Sequence, residues 1–139
     1  MKIQKIRGFT IVELLVSLAI IAMLFSAVLA LTGDARQKAR DSQRMSDVRE
    51  ISKALALYTV DTGSFPIETT AITITSDDAV STALEAEGAI SETPTDPTHP
   101  TTVYTYQSSS NGDTYIVSFC LETNTIENYS QGCGNTLTP

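Results

Sequence analysis

The sequence predicts an α+β fold in which one long N-terminal helix packs on a small three-stranded antiparallel sheet. Three observations support this prediction. An apolar run leads into an amphipathic pattern, with no proline between Phe9 and Tyr58. Three short segments rich in Thr, Tyr, Val and Ile follow Pro100, which is typical of strands. Finally, charge is strongly polarised along the 139 residues.

The charge distribution limits the classes of function. All nine Lys and Arg lie between Lys2 and Lys53, where five acidic residues leave a net charge of +4. From Ala54 onwards the chain has eleven acidic residues and no basic one. This distribution excludes a uniformly basic nucleic-acid binder. The presence of a single long apolar stretch excludes a membrane protein with several spans.

The apolar run extends from Leu14 to Leu31, and only Ser17 and Ser26 are polar within it. As a helix the run is about 27 Å long, close to the thickness of a bilayer core. The first eight residues, MKIQKIRG, contain Lys2, Lys5 and Arg7 and no acidic residue. This asymmetry predicts a cytoplasmic N-terminus and an exported remainder. A cleaved secretory signal is the alternative interpretation.

Glu13 lies at the start of this apolar segment. A carboxylate in such a place costs a few kcal/mol unless it is paired, protonated or held at the lipid headgroups. No basic residue of the run is available to pair with it. A discarded signal would have no use for this group, which disfavours the secretory-signal alternative.

The segment RGFTIVEL, from Arg7 to Leu14, resembles the processing signal of type IV pilins and type II secretion pseudopilins. The resemblance implies that a prepilin peptidase cuts between Gly8 and Phe9 and that Phe9 is then N-methylated. Glu13 matches the glutamate that the family uses in assembly. The new ammonium of Phe9 and the Glu13 carboxylate are about one helical turn apart, so pairing between neighbouring subunits would satisfy both and fix their register.

The amphipathic pattern begins at Ala35 and predicts one buried helix face, with steps of mostly three and four residues. This face comprises Ala35, Ala39, Met45, Val48, Ile51, Leu55 and Tyr58. The opposite, polar face comprises Arg36, Lys38, Arg40, Arg44, Arg49, Lys53, Asp41, Asp47 and Glu50. The helix is expected to end at Asp61-Thr62-Gly63. Gly33 is its weakest point, near the depth where many type IV pilins have a helix-breaking proline.

The chain is therefore divided into four parts: a cytoplasmic leader (1–8), a transmembrane and assembly helix (9–31), an amphipathic helix (32–61) and an acidic α+β head (62–139). In the head, Ser76-Asp77-Asp78 is expected to cap a short helix from Ala79 to Glu87. The predicted strands are Thr102–Gln107, Thr114–Cys120 and Thr125–Tyr129. Ser110-Asn111-Gly112-Asp113 predicts a hairpin turn between the first two.

Cys120 and Cys133 predict a disulfide, since the head is expected to be exported. Two free thiols are the alternative. A C-terminal disulfide loop is typical of type IV pilins, whereas the major secretion pseudopilin usually has an Asp-rich calcium loop that this sequence lacks. Asp96, Asn111 and Asp113 are better interpreted as loop and turn residues than as an ion site, so we predict no metal and no cofactor.

The predicted function is that of a structural prepilin, processed after Gly8 and assembled through its N-terminal helix into a type IV pilus-like filament. A pseudopilin of a type II secretion-like system is the alternative. A DNA-uptake pilin is disfavoured because the head is acidic and only Arg40, Arg44 and Arg49 would be available to bind phosphates. No catalytic constellation is visible, so an enzyme is not predicted.

The resemblance also implies partners and a location. The partners are other copies of the chain, a prepilin peptidase, an assembly platform and its ATPase. The expected location is the inner membrane, crossed once with the N-terminus in the cytoplasm, followed by a periplasmic or extracellular filament.

Overall fold

The computed structural model describes residues 9–139. In chain order its elements are helix α1 (Ile11–Thr62), strand β1 (Ile72–Thr73), helix α2 (Ala79–Ala86) and strands β2 (Thr105–Ser108), β3 (Tyr115–Leu121) and β4 (Gly132–Leu137). The chain forms two compact units, Met1–Arg36 and Gln37–Pro139. The predicted α+β class is confirmed, because α1 packs on an antiparallel sheet in the second unit.

Helix α1 begins and ends where local chemistry favours it. At its start, the hydroxyl of Thr10 accepts a hydrogen bond from the N–H of Glu13 at 3.2 Å, the geometry of an N-cap. At its end, Gly63 has a φ of +81° and donates its N–H to the carbonyl of Thr59. This left-handed glycine confirms the predicted end of the helix. The helix passes through Gly33 without interruption.

Helix α2 also confirms its prediction. The side chain of Asp78 accepts hydrogen bonds from the N–H groups of Val80 and Ser81, so it caps the first turn. The chain leaves the helix through Gly88, which has a φ of +69°.

The sheet has four strands in the order β1-β2-β3-β4, and every neighbouring pair is antiparallel. Strands β2 and β3 pair with Tyr106 opposite Val117. The turn between them contains Gly112, with a φ of +70°, as the hairpin prediction requires. The predicted hairpin of β2 and β3 therefore forms the centre of the sheet, and β1 and β4 are its edge strands.

The third predicted strand, Thr125–Tyr129, is wrong, and the sheet contains two strands that the sequence analysis missed. Strand β1 is only two residues long, and β4 lies beyond the predicted segment. Residues 122–131 form an irregular connection because the N–H groups of Glu122 and Thr123 bond to the carboxylate of Asp41 instead of to another strand. Asn128 then reverses the chain with a φ of +68°.

The core lies between α1, α2 and one face of the sheet. Its buried apolar residues are Met45, Val48, Ile51, Ala54, Leu55, Ile74, Val80, Leu84, Tyr104, Tyr106, Tyr115, Val117, Phe119 and Leu121. The predicted helix face is correct from Met45 onwards, with Tyr58 half-buried. It is wrong before that point, since Ala35 and Ala39 are exposed.

The predicted polar face of α1 is also partly wrong. Asp41, Arg44 and Asp47 are buried, although the sequence pattern assigned them to the face opposite the buried one. These three residues adjoin the buried apolar face of the same helix, and each is bonded to a group from the rest of the head. The buried face of α1 is therefore partly ionic.

Candidate functional site

The first unit presents an unusual amount of exposed apolar surface. Phe9 is 73% exposed and Ile11 is 79% exposed. Further large apolar side chains of this part of α1 are at least half exposed: Val12, Leu14, Leu15, Val16, Leu18, Ile20, Ile21, Met23, Leu24, Phe25 and Val28. A contiguous apolar surface of this extent marks a site that contacts protein or lipid.

The two serines of this segment bond to the backbone of the same helix. The hydroxyl of Ser17 donates to the carbonyl of Glu13 at 2.7 Å, and that of Ser26 donates to the carbonyl of Ala22 at 2.9 Å. A hydroxyl bonded in this way leaves no unpaired donor when the helix is transferred to an apolar environment. Within the described residues, no helix is both long enough and apolar enough to cross a membrane.

Glu13 lies in the first turn of α1 with its side chain exposed. No ion pair in the described part of the chain includes it. Its side chain is therefore accessible to a cation from another molecule. The predicted cleavage residue Gly8 and the leader residues Lys2, Lys5 and Arg7 lie outside the described residues.

The second unit contains a buried ionic cluster centred on Arg44. The guanidinium donates to Asp96 through Nε at 2.9 Å and through Nη2 at 3.2 Å. Nη1 donates to Asp41 at 2.9 Å and to Glu122 at 2.8 Å. The side chains of Arg44, Asp41 and Asp96 are fully buried. Three carboxylates from distant parts of the chain therefore share one cation.

Two hydroxyls complete the surroundings of this cation. Thr98 and Thr102 accept hydrogen bonds from Nη2 of Arg44 at 2.8 and 3.3 Å. Each hydroxyl in turn donates to Oδ1 of Asp96. We call Asp41, Arg44, Asp96, Thr98, Thr102 and Glu122 the Arg44 cluster. No buried side-chain nitrogen or oxygen of the described residues lacks a partner.

The cluster also explains the irregular connection after β3. The carboxylate of Asp41 accepts from the N–H of Glu122 at 2.9 Å and from the N–H of Thr123 at 2.8 Å. Glu122 receives a second guanidinium, since Nε of Arg40 donates to it at 2.7 Å. Side chains of α1 therefore hold this connection in place, and backbone hydrogen bonds to another strand do not.

The pKa values of two carboxylates in the Arg44 cluster are consistent with these contacts. Burial alone would raise the pKa of Asp96, but hydrogen bonds from Arg44, Thr102 and Thr98 lower it to about 2. The hydrogen bond from Arg40, aided by Arg44, lowers the pKa of Glu122 to about 2. Both groups are therefore ionised at neutral pH. The cluster is therefore a structural ion-pair network, in which Asp96 and Glu122 pair with the guanidinium of Arg44.

Helix α1 makes another buried polar contact one turn further along. The hydroxyl of Tyr104 donates to Oδ2 of Asp47 at 2.9 Å. Burial and the Asp47 carboxylate raise the pKa of Tyr104. This contact ties the helix to the segment that enters β2.

Cys120 and Cys133 are joined by a disulfide. The bond links β3 to the adjacent strand β4. It therefore attaches the C-terminal strand to the centre of the sheet. The described residues contain no free cysteine.

The other candidate residues of the sequence analysis are separated. Asp96 belongs to the Arg44 cluster, whereas the side chains of Asn111 and Asp113 hydrogen-bond to each other at the hairpin turn. Among the described residues, no group of His, Cys, Asp and Glu is arranged to hold a metal ion. Of the residues considered for binding phosphates, Arg40 and Arg44 are engaged with carboxylates and Arg49 is exposed.

Comparisons with known families locate two matches along the chain. Residues 3–29 match the prokaryotic N-terminal methylation motif. Residues 31–128 match the family of the type II secretion system (T2SS), protein G. Searches of curated proteins and of solved structures found no match.

Proposed function

Because the chain belongs to the protein G family of the type II secretion system, and is thus a structural subunit of the pilin and pseudopilin class, we propose that it is made as a prepilin. In this proposal the prepilin peptidase cuts between Gly8 and Phe9, and Phe9 becomes N-methylated. The observation that carries the proposal is the spacing of Gly8, Phe9 and Glu13 ahead of an exposed apolar helix.

The proposed route starts in the inner membrane. Residues 1–8 form the cytoplasmic leader and residues 9–31 cross the bilayer once, with the basic leader retained in the cytoplasm. Residues 32–61 and the head at 62–139 are exported. The assembly platform and its ATPase then add the subunit to a periplasmic or extracellular filament. The same assembly serves a surface pilus and a secretion pseudopilus.

Glu13 has the assembly role in this proposal. Its exposed carboxylate receives the N-terminal ammonium of Phe9 from an adjacent subunit. Because both charges leave water when the apolar helices associate, a subunit in the wrong register would bury an unpaired charge. The pair thus selects one axial position for each new subunit.

The test of processing is mass spectrometry of the mature N-terminus from cells that express the full chain. The expected N-terminal residue is Phe9 bearing one additional methyl group. Gly8→Val should leave the uncleaved precursor in the membrane fraction. Gly33→Val is the matched control, because it makes the same substitution within α1 without touching the cleavage motif. A mature N-terminus at Leu31 would instead indicate an ordinary secretory signal.

A further inference from the structure

The solvent-facing side of α1 in the second unit carries a continuous stripe of exposed residues. Its members follow each other at steps of three and four, so they share one helix face. We call Ser42, Ser46, Arg49, Lys53, Leu57 and Val60 the α1 stripe; all six are exposed. The face opposite the stripe is the one that packs into the core.

The apolar end of the stripe lacks a partner within the described chain. Leu57 is 55% exposed and Val60 is 81% exposed, although both lie on a helix whose other side forms the core of the head. In the preceding part of the stripe, a groove of about 710 Å³ is lined by Arg49, Lys53 and Ile126, among others. Covering Leu57 and Val60 with a partner would remove their apolar surface from water.

The two positive charges of the stripe, on Arg49 and Lys53, are not neutralised by a carboxylate among the described residues. Arg49 and Lys53 are four residues apart, so they are like-charged neighbours on one helix face and repel each other. Within the described residues, neither forms an ion pair, even with the nearby Glu50. A carboxylate from another molecule would relieve this repulsion.

The head supplies a complementary surface at the C-terminal end of α2. Glu87 is the C-cap of α2, Glu92 follows in the next loop, and both are exposed; the last turn of α2 contains no basic residue. The negative end of the helix dipole beside Glu87 favours a cation. No Lys or Arg follows Lys53 in the chain to supply one.

The other exposed carboxylates of the head are less suitable. Asp77 lies at the positive N-terminal end of α2, where its charge is already favoured. Asp113 is bonded to Asn111. Glu127 follows Ile126, which lines the groove itself. Asp61 lies on α1, close to the stripe.

We propose that the α1 stripe docks a second copy of this chain, with Arg49 and Lys53 pairing with Glu87 and Glu92 of that copy. The inference rests on the proposed function, since a filament brings many identical heads together. It adds a contact between α1 of one subunit and the head of another to the assembly through the N-terminal helix. The partner surface is different from the stripe, so the contact is heterologous and can propagate along a polymer.

The test uses charge reversal in the full chain, expressed as the sole copy and assayed as sheared filaments. Arg49→Glu with Lys53→Glu should reduce the filament-associated fraction about tenfold, because attraction becomes repulsion in each contact. Glu87→Lys with Glu92→Lys should reduce it similarly. Combining all four substitutions should restore filaments, which also shows that the variants fold. Asp77→Lys with Asp113→Lys is the matched control and should have little effect.

Cross-linking tests the same contact with a pair of substitutions that leaves the net charge of the chain unchanged. The native cysteines are both in the disulfide, so Lys53→Cys with Glu87→Cys introduces the only thiols. A short bifunctional maleimide should link these into a ladder of oligomers in filaments, and Lys53→Cys with Asp77→Cys should not.

The outcomes separate this inference from the proposed function. If the wild-type chain is not cut after Gly8, both fail. If the wild-type chain is cut and forms filaments but charge reversal changes nothing, only the docking proposal is wrong. The docking proposal is also wrong if each double charge reversal abolishes filaments and the combination of all four substitutions does not restore them. Loss of the precursor from the membrane after reversal of Arg49 and Lys53 would instead assign the stripe to lipid headgroups.

Discussion

The guanidinium of Arg44 and the carboxylate of Asp96 face each other with two hydrogen bonds, although 52 residues separate them in the chain. Arg44 lies on α1 and Asp96 lies in the loop that leads to β2. Because both side chains are fully buried, this pair ties the helix to the head through an ionic contact in the core. The same cation also reaches Asp41 and Glu122.

The first prediction concerns the stability of the head. Arg44→Met should lower the free energy of unfolding by about 3–5 kcal/mol, because it leaves buried carboxylates without their cation. The measurement is urea unfolding of the full chain in detergent, followed by the near-ultraviolet circular dichroism of its five tyrosines. Arg49→Met is the matched control and should change the free energy by less than about 0.5 kcal/mol, since Arg49 is exposed. Equal effects of the two substitutions would contradict the role of the Arg44 cluster.

The second prediction is a loss of stability in acid. The pKa of Asp96 falls from its ordinary 3.8 to about 2, and that of Glu122 falls from 4.5 to about 2. The unfolded chain therefore takes up protons before the folded chain does, and the stabilisation is complete only above the ordinary values. The free energy of unfolding should decrease as the pH drops from about 4.5 towards 2.

The control for this pH dependence is Arg44→Met. Without the guanidinium, Asp96 loses the hydrogen bond that lowers its pKa most, while burial still opposes ionisation, so protonation should cost the folded state less. The acid-induced loss should become smaller or change sign in this variant. The same slope in both proteins would show that other groups cause the acid sensitivity.

Local chemistry explains which elements the sequence analysis could predict. The end of α1 at Gly63, the cap of α2 at Asp78 and the hairpin turn at Gly112 each depend on residues that are close in the chain. The structure confirms all three. A backbone preference of this kind can be read from the sequence because its partners are only a few residues away.

Contacts between distant residues explain what the analysis missed. Arg44 looks like a solvated residue of a polar helix face, and its burial depends on carboxylates 52 and 78 positions further along. Strand β4 reads GCGNTL, a segment with two glycines and few residues that favour strands. It forms a strand because it pairs with β3, with Val117 opposite Leu137. Neither the burial of Arg44 nor the pairing of β4 can be predicted from the residues that are close to it in the chain.

The third prediction concerns the hairpin turn. Gly112 has a φ of +70°, and a Cβ there would lie 2.8 Å from the carbonyl oxygen of Phe65 and 2.9 Å from Cβ of Ser64. Gly112→Ala should therefore destabilise the head by more than the backbone penalty of about 1–2 kcal/mol. Gly88→Ala is the matched control, because Gly88 has nearly the same φ of +69° but open space around it. Equal losses of unfolding free energy would show that the contact with Phe65 is unimportant.

The fourth prediction is that Glu13 acts in assembly and not in folding or insertion. Glu13 lies in the first unit and the core of the head lies in the second, so Glu13→Leu should leave the stability of the head unchanged. The substitution makes the segment more apolar, so the precursor should still enter the membrane and still be cut after Gly8.

What Glu13→Leu removes is the proposed partner for the Phe9 ammonium of an adjacent subunit. The variant should therefore accumulate in the inner membrane as mature protein with few filaments, and Glu13→Asp should be intermediate because its side chain is shorter. Ser17→Leu is the matched control, since it adds apolar surface one turn away and keeps the carboxylate. The assay is immunoblotting of sheared filaments and membranes from strains with the variant as sole copy, because mixed filaments admit defective subunits. Filaments of normal number and length from Glu13→Leu would show that the pairing role is wrong.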